Sequence, residues 1–382
     1  SHRQLDALRA ELSVEGAQSG VKTAWSSIMP QLSLNAGVGV GAQLQYRQIN
    51  TFTGETRTSD FVAPNFRLGL QVSQLLYDGG RWWTQISQAG AQKEAAEGQL
   101  KEQQMASELE ATRRFFTLLK AQLTLKVLEE TVRRSSQQLE NARSLYEAGR
   151  GQRSAVYDAA TNLGNDEISV VRQKQSILIA RLALLQWLGR PDADVEAVPP
   201  PELEQALQPV DAEGSLAWAR DHRPLLKSLD AQVRAAEFAI TNARADYFPQ
   251  LSVSAGYSRN ANLPLDFVDL RVQHGLSASL NLQWNIFNGL STQAAEEKSK
   301  QALKQTQLQQ KQSIVDLEVE IRQGAASLAT EQEVLAIAQR NLTQAEQQVL
   351  LETERFAAGA GSSLEARNAQ IKYTQAQLAV LQ

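Results

Sequence analysis

Two periodicities of apolar residues organise this chain, and each occurs twice. From Gln31 to Tyr46 apolar and polar positions alternate without a break. Leu32, Leu34, Ala36, Val38, Val40, Ala42, Leu44 and Tyr46 fall on one side, and Gln31, Ser33, Asn35, Gly37, Gly39, Gly41, Gln43 and Gln45 on the other. Side chains alternate across a strand, so this pattern predicts a two-faced strand. Leu68 to Tyr77 predicts its partner, and segments 251–258 and 275–287 predict a second pair. In the last of these Leu276, Ala278, Leu280, Leu282, Trp284 and Ile286 oppose Gly275, Ser277, Ser279, Asn281, Gln283 and Asn285. The polar connectors Arg47 to Pro64 and Arg259 to Arg271 are expected to be outer loops. A period of seven then takes over in two proline-free stretches, Arg81 to Glu147 and Ser291 to Ala357. Leu118, Leu125, Val132, Leu139 and Tyr146 mark it in the first, and Leu328, Leu335, Leu342, Val349 and Phe356 in the second. Val156, Leu163, Val170, Ile177 and Leu184 mark it on a returning helix. Such a repeat predicts left-handed coiled-coil seams, each long stretch spanning about 100 Å if unbroken. Gly149 and Gly359 stand where a helix C-cap needs a left-handed residue. Ser154 and Ser363 are expected to cap the helices that follow.

The repetition extends to the whole plan. "SHRQL" at 1–5 answers "DHRPL" at 221–225, and "MPQLSLNAG" at 29–37 answers "FPQLSVSAG" at 248–256. From Tyr77-Asp78-Gly79 and Phe287-Asn288-Gly289 onward the offset is constant. "LYEAGRG" at 145–151 therefore meets "RFAAGAG" at 355–361. This period is too long for a solenoid and predicts a duplicated half-protein. The expected division is a helix over 1–29, a β-hairpin over 30–78 and a helical hairpin over 79–190 with its tip at 149–153. A proline-rich linker over 191–221, holding Pro191, Pro199, Pro200, Pro201 and Pro209, separates the halves. The second half then reads as a helix over 222–248, a β-hairpin over 249–287 and a helical hairpin over 288–382 with its tip at 359–363.

An ordinary sheet with one buried face would also alternate. Three features point elsewhere. The strands, roughly 10–16 residues, exceed the usual globular length and suffice for a tilted membrane crossing. Their polar face is small and uncharged, and no local third strand or long loop exists to cover them. A strand pair with one apolar and one wet face suits an outer-membrane barrel, and barrels begin at eight strands, so several chains must share one. The stretch "LLYDGGRWW" at 75–83 then falls at a strand's end. Tyr77, Trp82 and Trp83, with Trp284 and Phe287 in the second half, would sit in an aromatic girdle at the lipid–water interface. Gly79 and Gly80 would let the backbone turn from strand to helix.

Composition narrows the function. The chain has 382 residues and a formal net charge of −4, which offers no basic field for nucleic acid. It has no cysteine, so thiolate metal sites and cysteine nucleophiles are excluded. His2, His222 and His274 are too far apart in sequence to suggest a metal site. No run of about 18 apolar residues is present, so no transmembrane helix is predicted. Gly37-Val38-Gly39-Val40-Gly41 mimics a nucleotide fingerprint but lies inside a strand, and "GAGSS" at 359–363 lacks the lysine of a phosphate loop. Carboxylates such as Glu129 and Glu130 read as a solvated helix face. No catalytic constellation and no cofactor is predicted. The chain opens inside an element, and its last helix stops short of its counterpart, Ser154 to Leu188, so a longer native chain is expected.

The order and duplication of these motifs resemble the TolC-like outer-membrane efflux and secretion ducts. The resemblance rests on Met29-Pro30-Gln31-Leu32 with Phe248-Pro249-Gln250-Leu251, and on Tyr77-Asp78-Gly79-Gly80 with Phe287-Asn288-Gly289. The tips Tyr146-Glu147-Ala148-Gly149 and Phe356-Ala357-Ala358-Gly359 complete it. It implies an α+β membrane protein and a homotrimer, with a twelve-stranded outer-membrane barrel and a periplasmic helical tunnel. It implies a passive export duct of a tripartite efflux pump or type I secretion system, taking cargo from an inner-membrane pump through a periplasmic adaptor. The proline-rich middle would belong to an equatorial girdle. Glu365 matches an acid that rings the periplasmic mouth, and Asn368 stands where a second acid is often found. Arg150, Arg153, Asp158 and Arg367 are the candidates for links that close the mouth. Gly149, Gly151, Gly359 and Gly361 would shape the tips that the adaptor meets. Plain solvated turns are the other reading of the tip charges. A trimeric autotransporter or adhesin anchor and a soluble coiled-coil scaffold are the alternative functions.

Overall fold

A computed structural model describes residues 2–49, 52, 54, 56–190, 192–201, 210–262 and 271–381. Within its helices and strands the side chains of 2–7, 41–49, 56–65, 261–262 and 271–272 lie outside the described ones. The element order is α1 (His2–Ser26), β1 (Gln31–Ile49), β2 (Thr56–Tyr77), α2 (Arg81–Glu147), α3 (Arg153–Leu188), α4 (Ala212–His222) and α5 (Pro224–Arg244). Then follow β3 (Gln250–Asn262), β4 (Arg271–Gln283), α6 (Ser291–Ala357) and α7 (Ser363–Val380). The chain is thus a mainly helical protein with one small sheet, built twice on the same plan. It divides into two compact units. One comprises Ser13–Glu97 and Lys227–Lys311; the other comprises Ser1–Leu12, Gly98–Leu226 and Gln312–Gln382.

The first unit carries a four-stranded antiparallel sheet of order β1-β2-β3-β4. Its central rungs, such as Leu70 with Tyr257 and Val72 with Ala255, join one repeat to the other. The alternation has the predicted effect, since Leu32, Leu34, Val38, Leu276 and Leu280 share a face and all are exposed among the described residues. Val38 is 80% and Leu276 89% exposed. The strands run differently from the sequence pattern. The first expected connector is largely strand, with β1 and β2 paired out to Ile49 and Thr56, and the described ends of the second are strand too, with β3 and β4 paired out to Asn262 and Arg271. Of those connectors, residues 263–270 and parts of 50–55 lie outside the described residues. Pro64 lies within β2 opposite Val40, one residue past the last described rung with β3, Asn65 with Asn262. At the other end β4 stops at Gln283, so Trp284 to Phe287 continue the alternation outside any strand.

Within the helical part of this unit α2 and α5 lie close together. Small residues let the backbones approach: Ala91, Ala95, Ala231 and Ala235 are buried, and the buried Ser228 hydroxyl donates to Ala95 O at 2.8 Å. Polar links run beside them in antiparallel order. Arg81 pairs with Asp246, Asn242 Nδ2 donates to Gln88 Oε1 at 2.6 Å, and Arg234 pairs with Glu94. Such exposed pairs are individually weak but fix register along a seam that is poor in leucine.

In the second unit the heptad residues Leu118, Leu139, Ile177, Leu184 and Phe356 are buried, whereas Leu335 is exposed. Leu118, Leu119, Ile177, Leu184 and Ala197 make one cluster of α2, α3 and the segment that follows α3. Leu139, Ala142, Ala159, Phe356 and Ala366 make another, nearer the helical turns. Tyr146, expected in the first seam, is instead exposed. The segment 191–221 holds α4 at its far end, capped by Asp211, whose carboxylate accepts from Glu213 N and Gly214 N at 3.0 Å. Pro224 opens α5 at the one helical turn where its missing N–H costs nothing. Pro191 and residues 202–209, including Pro209, lie outside the described residues.

Candidate functional site

The two helical turns are copies in hydrogen bonding as well as in sequence. Gly149 has φ 72° and Gly359 φ 76°, the left-handed conformation that glycine adopts without strain. Arg150 N and Gly151 N both donate to Leu145 O at 2.9 Å, and Ala360 N and Gly361 N donate to Arg355 O at 2.9 and 3.1 Å. Gly151 and Gly361 are glycines for a different reason. A Cβ on Gly151 would lie 2.9 Å from Tyr146 N, and one on Gly361 3.2 Å from Phe356 N. The turns adjoin: a Cβ on Gly359 would stand 3.4 Å from the Arg150 guanidinium.

The helices leaving the turns are capped unequally, and not by the residues expected. The N-cap of α3 is Gln152, whose side chain makes no cap bond; Ser154 lies inside the helix and its hydroxyl reaches Gln152 Oε1 at 3.4 Å. The N-cap of α7 is Ser362, not Ser363. Its hydroxyl accepts from Glu365 N at 3.2 Å while Glu365 Oε2 accepts from Ser362 N at 3.0 Å. This is a reciprocal capping box. The Ser362 backbone N–H and hydroxyl, with Arg355 nearby, hold the Glu365 carboxyl below the ordinary carboxylate range. Glu365 thus has a local structural task in addition to its exposed charge.

The charged candidates do not form a single cluster. Arg153 lies over the Tyr157 ring at 5.5 Å. Asp158 and Asn368 are exposed. Asp158 and Arg367 share the walls of a cavity of about 310 Å³ with Ala142, Ala159, Phe356 and Leu364. Arg367 is nevertheless committed elsewhere. Its guanidinium donates to Asp166 through Nη1 at 2.7 Å and Nη2 at 2.9 Å, with side chains only 14% and 13% exposed. Nη1 also reaches Ser135 Oγ at 3.2 Å, and Gln370 Nε2 donates to that oxygen at 3.0 Å. The Thr131 and Thr374 hydroxyls meet at 3.0 Å beside them. This network joins α2, α3 and α7. A signal for it existed: Ser135 and Asp166 lie three residues after the heptad positions Val132 and Leu163, where a seam expects an apolar residue.

In the sheet unit the aromatic candidates gather around the strand ends. A bulge between Leu75 and Tyr77 gives β2 one extra residue. Leu75 opposes Ser252 on the polar face, but Tyr77 opposes Leu251 on the apolar face. The bulge therefore turns Tyr77 toward the side carrying Leu251 and Leu282. Trp82 is half-buried and meets the exposed Trp83 edge-on, with centroids 5.6 Å apart. Asp78 accepts from Trp82 N at 3.0 Å and so starts α2. Trp284 donates its indole N–H to Tyr247 O at 3.1 Å, and Phe287 stands exposed.

This architecture occurs in known proteins. The chain superimposes on the outer-membrane channel OprN with a TM-score of 0.81, at 21% identity, covering 98% of this chain and 82% of that one. It superimposes on VceC from Vibrio cholerae with a TM-score of 0.80, at 17% identity, covering 100% of this chain and 91% of that one. It is 22% identical over 250 residues to the outer membrane protein TolC of Vibrio cholerae, which covers 65% of this chain. The chain spans about half, 53%, of that curated relative. The structural likenesses establish the fold, and the sequence pattern of the outer membrane efflux proteins matches residues 2–190 and 216–382, so the chain belongs to the outer membrane efflux protein family.

Proposed function

We propose that three copies of this chain form a passive, gated export duct in the outer membrane, the outermost part of a tripartite efflux pump or type I secretion system. The observation that carries this reading is the bare four-stranded sheet, apolar on one face and polar on the other, with one free edge from each repeat. Three such sheets joined edge to edge supply twelve strands, enough to close a barrel with a wet lumen. The helical hairpins would extend the lumen into the periplasm, with the turns at Gly149–Gly151 and Gly359–Gly361 meeting an adaptor. Arg150, Arg153, Asp158, Glu365 and Asn368 would line the mouth. Arg367 would act one layer back, by holding α7 to α2 and α3. An adhesin anchor fits less well, because β1–β2 and β3–β4 are separated along the chain by α2 to α5. A soluble scaffold would leave the apolar sheet face without a partner.

Mass measurement of protein extracted from outer membranes, followed by conductance in planar bilayers, tests the proposal. A detergent-requiring trimer that conducts is expected. A monodisperse monomer or dimer without detergent would overturn it.

A further inference from the structure

The apolar face of the β3–β4 ladder is interrupted by a cationic rung. Leu251 opposes Leu282, Val253 opposes Leu280, Ala255 opposes Ala278 and Tyr257 opposes Leu276. The next rung on the same face is Arg259 with His274. Both are exposed, and the Tyr257 hydroxyl lies 2.6 Å from His274 Nδ1, with ring centroids 6.0 Å apart. A phenol donating to Nδ1 leaves the imidazole proton on Nε2, a donor available on the outer side of the pair. On β2 the neighbours of Tyr257 and Arg259 are Leu70 and Leu68, so none of these rungs carries a carboxylate. The strands enter this face from the helical side at Gln250, so the cationic rung lies toward the far end of the ladder, with Ala261 and Val272 the next pair in register on that face. The stretch from Leu251 to Arg259 matches the roughly 9–11 residues that a tilted strand uses to cross a hydrocarbon layer. An arginine at that depth lays its stem along the apolar surface and keeps its guanidinium at headgroup level. A guanidinium with a neighbouring imidazole N–H suits a phosphate oxygen pair better than any neutral headgroup.

We infer that Arg259, His274 and Tyr257 form a binding site for the headgroup phosphate of an outer-leaflet lipid. Continuity with the apolar ladder favours a lipid over cargo, which would meet the opposite face. The inference rests on the reading of that ladder as lipid-facing. Trimer purified in detergent is incubated with diphosphorylated lipid A, with the same lipid stripped of both phosphates, and with inorganic phosphate. Bound lipid is counted by native mass spectrometry. The parent is expected to hold the phosphorylated lipid about tenfold more tightly than the stripped form, the worth of one charge-assisted hydrogen bond. Arg259→Leu with His274→Leu, an outward apolar pair suited to lipid, should abolish that preference and leave the trimer mass unchanged. Equal retention of both lipids by the parent would overturn the site, and this comparison needs no variant. So would an undiminished preference in the double variant, or displacement of the lipid by equimolar inorganic phosphate. Failure of the barrel reading is separable, since it would show as a protein that is not a detergent-bound trimer.

Discussion

Gly79 and Leu290 show how differently two repeats can treat one turn. Gly79 has φ 72°, and a Cβ there would sit 2.8 Å from Ala245 O, so both conformation and space require glycine. Gly80 has φ 83° but open space around it. Its counterpart in the second repeat is Leu290, at φ 67° and 63% exposed. A left-handed non-glycine residue costs about 1–2 kcal/mol, and an exposed leucine recovers little of it by burial. Leu290→Gly should therefore stabilise by roughly 0.5–1 kcal/mol after the entropy of the added glycine. Gly80→Ala should destabilise by about 1 kcal/mol, and Gly79→Ala by clearly more. Thermal unfolding in detergent would rank the three, and equal midpoints for Gly79→Ala and Gly80→Ala would contradict the packing argument. At the α7 turn, Glu365 combines charge and cap. Its carboxyl titrates lower in the folded state than in the unfolded chain. The cap's contribution is thus full above the ordinary carboxylate range and is lost as pH falls through the depressed folded value. Hydrogen exchange at Leu364 to Ala366 should show that loss only in acid. Glutamine can serve in a capping box, so Glu365→Gln keeps the helix start and removes the charge, while Ser362→Ala does the reverse at a cost of about 1 kcal/mol. If Glu365 rings the mouth, block of single-channel current by multivalent cations should weaken in the first variant and persist in the second.

The α7 helix is held by a buried polar network rather than by leucines. Removing one partner of a buried ion pair strands the other and costs about 3 kcal/mol or more. Asp166→Ala and Arg367→Ala should each destabilise by that order, whereas Asp166→Leu with Arg367→Met should recover most of it. A double-variant cycle on unfolding midpoints measures the coupling, and additive effects would show that the pair does not hold α7. Strands and seams were legible in the sequence because burial imposes periods of two and seven on residue choice. Leu32 to Val40 and Leu118 to Leu139 are read directly from those periods. Pairing, by contrast, can carry a strand past its own pattern: β2 begins at Thr56, in a polar stretch that β1 templates. The bulge before Tyr77 left no trace in composition, because it depends on the register against β3. The role of Arg367 was half legible. Its charge marked it, and Asp166 stood out as a polar residue at a seam position, but nothing in the sequence joins the two until α3 lies against α7.

In the whole molecule the sheet decides what kind of object the chain is. Val38 on the apolar face and Asn35 on the polar face are neighbours on β1 and both solvent-accessible in one copy. If the apolar face meets lipid, Val38→Arg places a charge near mid-bilayer at a cost of about 2–4 kcal/mol, while Asn35→Arg adds a charge to a wet lumen. Membrane yield of trimer should fall for the first and hold for the second, and equal yields would reverse the face assignment. The rungs between β2 and β3 have a further consequence, for the order of events during biogenesis. Strands β1 and β2 are neighbours in sequence and can pair as soon as both exist. Strand β3 follows only after α2, α3, α4 and α5, so the β2–β3 rungs close a loop that contains four of the seven described α-helices. Closing so long a loop is slow and unrewarded until the intervening helices have brought its ends together. The hairpin of the first repeat must therefore wait with its β2 edge open as well as its β1 edge, and pulse-labelled hydrogen exchange during refolding should protect β1–β2 before β2–β3. During that wait the chain displays the type of strand edge on which misassembly begins, and helix docking sets how long it lasts.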